Sequence, residues 1–103
     1  MGFFSRFLPH QIDVSILSED EIARLIGFFE NGWAREVRRR TGSDGPLDAT
    51  FDRSIVKGLK KGWLSEEEID YAVALLKADM DLNGESSEAY AIIRQLEWSK
   101  DMG

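Results

Sequence analysis

Residues Gly58 to Met80, GLKKGWLSEEEIDYAVALLKADM, decide the fold. They hold a helix end, a Gly-Trp turn, a helix start and the most apolar helix of the chain. Leu59-Lys60-Lys61-Gly62 reads as the end: Gly62 suits the left-handed C′ position, and two lysines face the negative pole of the helix dipole. Ser65-Glu66-Glu67-Glu68 reads as the start. It is a capping box, in which the Ser65 hydroxyl accepts from the N–H three residues on and Glu68 reaches back to the N–H of Ser65. Trp63 and Leu64 join the two helices almost without a loop, and the elbow is expected to be pinned by a buried indole.

At about 100° per residue, Ile69, Ala72, Val73, Leu76 and Met80 form one apolar stripe after Ser65. Tyr71, Ala74, Leu75 and Ala78 form a second, roughly opposite. A helix apolar on two sides is either sandwiched in a core or carries a partner surface. The arrangement over residues 58 to 80 resembles the short helix–Gly–turn–helix modules called SHOCT, and that resemblance carries no function with it.

Working outward, Ser18-Glu19-Asp20-Glu21 is a second capping box, predicted to open a long helix from 19 to 40. Ile22, Leu25, Ile26, Phe29, Trp33 and Val37 make its stripe, with Gly27 and Gly32 marking a kink or a close crossing. Ser43-Asp44-Gly45-Pro46 signals a turn, and a helix from 47 to 61 follows, with Leu47, Phe51, Ile55 and Leu59 inward. After the central helix, Ser86 or Ser87 caps a last one to Lys100. Ala89, Ile92, Ile93 and Leu96 face the core; Tyr90 and Trp98 point elsewhere. Before all of this, His10 to Leu17 alternates with strand period, Ile12, Val14 and Ile16 on one side. With no second strand in view, it reads as an extended segment across the helices. Met1 to Pro9, MGFFSRFLP, reads as an amphipathic turn folded onto the body, with a partner-reaching or membrane-surface arm as alternatives.

The expected architecture is therefore all-α: a single domain of four helices over residues 18–103, preceded by an N-terminal arm, 1–17, packed on it or extending from it. The length suits one domain. There is no cysteine, hence no disulfide or thiolate chemistry, and no apolar run near the roughly 20 residues of a membrane span. No secretory leader or N-myristoylation pattern is read at the start, where Arg6 stands in place of the required Ser or Thr. A cytoplasmic location is expected.

The net charge of −6 is uneven: −3 over residues 1–34, +4 over 35–61 and −7 over 62–103. The basic run Arg35, Arg38, Arg39, Arg40, Lys57, Lys60 and Lys61 offers a phosphate-binding reading. Yet cations are also expected at helix C-termini from the dipole alone, so nucleic acid is not the first expectation. Asp79-Met80-Asp81-Leu82-Asn83-Gly84 resembles the opening of an EF-hand calcium loop, in which Asp79, Asp81 and Asn83 would supply oxygens. Ser86 and Tyr90 stand where that loop needs an apolar residue and a bidentate Glu, so no metal or other cofactor is expected. His10 is the only histidine and no nucleophile–base arrangement appears, so catalysis is not expected.

The leading expectation is a small acidic, non-enzymatic protein-binding module: an inhibitor, an immunity or anti-defence-type protein, or an adaptor. Its partner would be another protein with a basic surface, with a homodimer as a further option. The expected contact residues are Tyr71, Leu75, Tyr90 and Trp98, rimmed by Glu67 and Asp70 (Glu97 close by). The alternatives are a metal-modulated module using 79–84 and a nucleic-acid-binding regulator using 35–61.

Overall fold

A computed structural model describes residues 11–42 and 46–102, with the side chains of 46–48 outside the description. The expectations for the first ten residues, for the 43–45 turn and for the Leu47 side chain lie outside the described residues. In chain order the elements are β1 (Gln11–Asp13), α1 (Glu19–Glu30), α2 (Trp33–Thr41), α3 (Pro46–Lys61), β2 (Trp63–Ser65), α4 (Glu66–Asn83) and α5 (Ser87–Met102). The fold is mostly helical, as expected, but the described residues form five helices where four were expected, and a two-stranded sheet.

Two corrections to the expected element plan have local causes. The predicted 19–40 helix breaks at Asn31-Gly32 because Gly32 takes φ +82°, a left-handed conformation that cannot continue a right-handed helix. The break rotates Trp33 out of the buried stripe and leaves it 49% exposed. The strand partner missed by sequence is the Gly-Trp elbow itself. Trp63–Ser65 pairs antiparallel with β1, setting Ile12 opposite Leu64 and Asp13 opposite Trp63. Gly62, at φ +91°, ends α3 through its N–H to the Gly58 carbonyl (2.7 Å), and its own carbonyl accepts from Val14 N–H (3.0 Å). One glycine thus stops a helix and extends the strand pairing.

β1 is short because Asp13 turns the chain. Its carboxylate accepts from Ser15 N–H at 2.7 Å, and Leu17 N–H closes a turn onto the Val14 carbonyl at 3.1 Å. The predicted alternation therefore ends at Val14: Ile16 is exposed and Leu17 takes the buried place. From Gln11 onward the arm is packed on the helices.

Both capping boxes form as read. Ser18 and Ser65 each accept from the N3 amide, and Glu21 and Glu68 each reach back to the cap N–H. Ser86 caps α5 through Ala89 N–H. α4 is the central helix: Ile69, Ala72, Val73, Leu75, Leu76 and Met80 are all buried. α2 packs on one side of it and α5 on the other. Its apolar residues on two sides are thus accounted for by sandwiching.

The elbow is pinned by Leu64, fully buried at 0% exposure, and not by the indole, since Trp63 is 46% exposed. Strand alternation explains the swap: within β2, Leu64 faces the core and its two neighbours cannot share that side. α3 crosses β2 very closely at Gly58. A Cβ there would collide with the Trp63 carbonyl and lie 2.8 Å from Leu64 Cδ2.

Candidate functional site

Of the six expected contact residues, four are surface groups and two are not. Leu75 is 6% exposed and belongs to the core. Tyr71 is half-buried and sandwiched between rings, stacked on Phe51 at 5.2 Å and on Phe29 at 6.3 Å between centroids. Its hydroxyl stands 3.5 Å from Asp52 Oδ1. Asp52 in turn accepts from Arg38, so the second stripe of α4 is occupied by a buried aromatic and ionic cluster. That is a correction to the expected open face: Leu75 is a core residue and Tyr71 is half-buried between rings.

Glu67, Asp70, Tyr90 and Trp98 are exposed. Tyr90 donates to Glu85 at 3.2 Å, and that bond with the Glu85 charge raises its pKa above the usual phenol value. Asp70 accepts from Lys100 at 2.7 Å. The structure separates Tyr90 from Trp98 and gives Trp98 other neighbours instead. Trp98, 53% exposed, lines a cleft of about 260 Å³ with Ile12, Asp13, Ser15, Ile16, Ser99 and Met102. Ile16 and Met102 are themselves 36% and 72% exposed. Sequence reasoning missed both. Met102 was legible as the residue one turn beyond Trp98. Ile16 was not, because only the turn after Asp13 swings it outward.

Among the described residues, the one charged side chain that lines this apolar cleft is acidic. Asp13 lies in its wall, with its pKa held below that of an ordinary aspartate by the hydrogen bonds from Ser15. Lys100 is drawn upward by its hydrogen bond to Asp70, against partial burial, with the charges of Glu66 and Asp101 adding to the effect. Glu97, the other nearby acid, is 3.8 Å from Lys77.

The calcium-loop resemblance does not survive the backbone. α4 remains helical to Asn83, so Asp79, Asp81 and Asn83 are helix residues rather than loop ligands. Asp79 and Asn83 meet on one face, Asn83 Nδ2 donating to Asp79 Oδ1 at 2.8 Å, and Trp33 Nε1 donates to the same oxygen at 2.7 Å. Asp81 is roughly 200° around the helix from Asp79. Among the described residues no group of three His, Cys, Asp or Glu side chains is placed to hold a metal ion.

The basic run is likewise divided. Arg38 is buried at 1% exposure against Asp52. Arg39 and Arg40 both bind Glu36. Lys57, Lys60 and Lys61 lie on the outer side of α3. No helix among the described residues is long and apolar enough to cross a membrane. No family model, curated protein or solved structure matches the chain.

Proposed function

We propose that this chain is a non-enzymatic protein-binding module that docks its partner on the Trp98–Met102–Ile16 cleft. One observation carries the reading: three large apolar side chains, two from α5 and one from the turn after β1, stay exposed and line one concavity. Scattered apolar residues are normal on a surface, whereas a contiguous group within a charged rim is the usual anatomy of a binding patch. Tryptophan is the residue type most enriched among energetic anchors. Asp13 lines the cleft, so the partner is one that brings an apolar prominence flanked by a Lys or Arg.

The test uses the full chain and Trp98→Ser/Met102→Ser. Proteins captured from native cells by the wild type are identified, purified and titrated against both forms. The reading expects a partner whose binding is lost in the double variant, while stability changes by no more than the roughly 0.5 kcal/mol typical of surface substitutions. A variant that melts much earlier places these side chains in the core and overturns the proposal. So does a partner that binds both forms equally.

A further inference from the structure

A second surface lies on the outer side of α3 and adjoins the first cleft where Trp63 stands opposite Asp13 in the β1–β2 pair. Arg53, Lys57 and Lys61 follow one another at i, i+4 and i+8, a row in which successive cations rise about 6 Å along the axis. Lys60 flanks the row. Helix electrostatics accounts for Lys60 and Lys61, which lie in the last turn. It does not account for Arg53 and Lys57, which lie further inside the helix. Lys60 has Glu30 at 3.8 Å. Among the described residues no carboxylate is within ion-pair distance of Arg53, Lys57 or Lys61. In a chain of net charge −6, a face of uncompensated cations is the exception.

Beside that row runs a cleft of about 450 Å³, lined by Gln11, Ser54, Lys57, Gly58, Lys61, Trp63 and Glu68. Its volume falls within the range of small-molecule sites, about 300 to 1,000 Å³. Trp63 forms one wall, and its exposure is a consequence of the strand alternation that buries Leu64. Glu68 does not neutralise the lysines through hydrogen bonds of its own. Oε1 accepts from Ser65 N–H and Oε2 from the Ser54 hydroxyl, and the side chain is buried. A further furrow of about 480 Å³ continues past Ser54 and Lys57 to Thr50, Arg53, Val56 and Lys60.

An indole wall next to paired ammonium groups suits a ligand that is flat and apolar at one end and anionic at the other. We propose that the cleft between Trp63 and the Lys57–Lys61 edge of α3 binds a nucleotide unit, with the base on the indole and the phosphates on the lysines. Stacking is indifferent to which base is present, and the ammonium groups supply the charge. The unit is either a free nucleotide or one residue of a single strand. A strand would continue along the second furrow to Arg53.

The experiment titrates the full chain with ATP, with inorganic triphosphate and with a short oligothymidylate at low salt, following tryptophan fluorescence and calorimetry. ATP is expected to bind saturably and more tightly than triphosphate. Trp63→Leu should weaken ATP about tenfold or more, Trp63→Phe should restore most of it, and Lys57→Gln/Lys61→Gln should abolish it. All of these positions are exposed, and unchanged circular dichroism melts check that the variants fold. A free-nucleotide site binds the oligonucleotide no more tightly than ATP. A strand site binds it more tightly, with a log–log salt slope of about −0.7 per phosphate engaged and sensitivity to Arg53→Gln. The proposal is overturned if triphosphate binds as well as ATP and Trp63→Leu changes nothing, or if none of the three ligands binds.

Discussion

Arg38 Nη1 donates to both carboxylate oxygens of Asp52, at 2.8 and 2.6 Å, and the pair is closed off from water between α2 and α3. Burial works against the charge on Arg38, but the hydrogen bond and charge of Asp52 outweigh it, and the net shift of its pKa is upward. Breaking such a pair strands the surviving charge, so Asp52→Ala or Arg38→Ala should each cost about 3–5 kcal/mol in urea unfolding. Replacing both, as Arg38→Met/Asp52→Leu, should recover most of that loss, since two apolar groups need no partner. A double variant as unstable as the singles would show that the pair's geometry, not its charge balance, holds α2 on α3.

Gly58→Ala separates local preference from tertiary fit. In an isolated helix the change favours folding by about 1 kcal/mol. Here the added methyl meets the backbone carbonyl of Trp63 and Cδ2 of the fully buried Leu64. The expected result is a net destabilisation of about 1–3 kcal/mol. A higher melting temperature in Gly58→Ala would mean that β2 does not lie against α3 as described.

At the elbow, Leu64 and Trp63 should behave oppositely. Leu64→Ala empties a fully buried site and should cost about 2–5 kcal/mol. Trp63→Ala removes a larger side chain that is half in solvent and should cost about 1 kcal/mol or less. Chemical denaturation of the two variants side by side reads the alternation of β2 directly.

Asp13 gives a pH signature. Hydrogen bonds from Ser15 hold its folded pKa below that of an ordinary aspartate. A depressed carboxylate pKa contributes stability that is present above the unfolded value and is lost as pH falls through the folded one. Asp13→Asn should therefore remove part of the acid-side decline in stability. Carboxyl titration by NMR should place the Asp13 midpoint below that of an unstructured aspartate; a midpoint at or above it would argue against the turn that ends β1.

Asp79 should act as a helix-face acceptor and not as a calcium ligand. Asp79→Ala removes an acceptor shared by Trp33 and Asn83 and should cost on the order of 1 kcal/mol. Millimolar calcium should leave the melting temperature of the wild type where it was. A rise on adding calcium, absent in Asp79→Ala, would restore the loop reading.

What the sequence determined was local. Ser18 and Ser65 announce their helices because a capping box satisfies orphan amides with residues three apart, whatever the rest of the chain does. Gly62 ends α3 because its backbone alone permits the left-handed turn. The periodicity of Ile69–Met80 and of Ala89–Leu96 marks buried faces because burial follows the helical repeat. What only tertiary structure decided was pairing between distant segments. β1 and β2 are each three residues long and too short to declare themselves; each becomes a strand because the other supplies its hydrogen bonds. That pairing turns Leu64 inward and Trp63 outward. Charge signs were legible in Arg38 and Asp52, but their burial together was not, since it depends on how α2 crosses α3. The candidate cleft divides the same way: Trp98 was legible as off the core face of its helix, whereas its meeting with Ile16 depends on a turn closed by Asp13, more than eighty residues away in sequence.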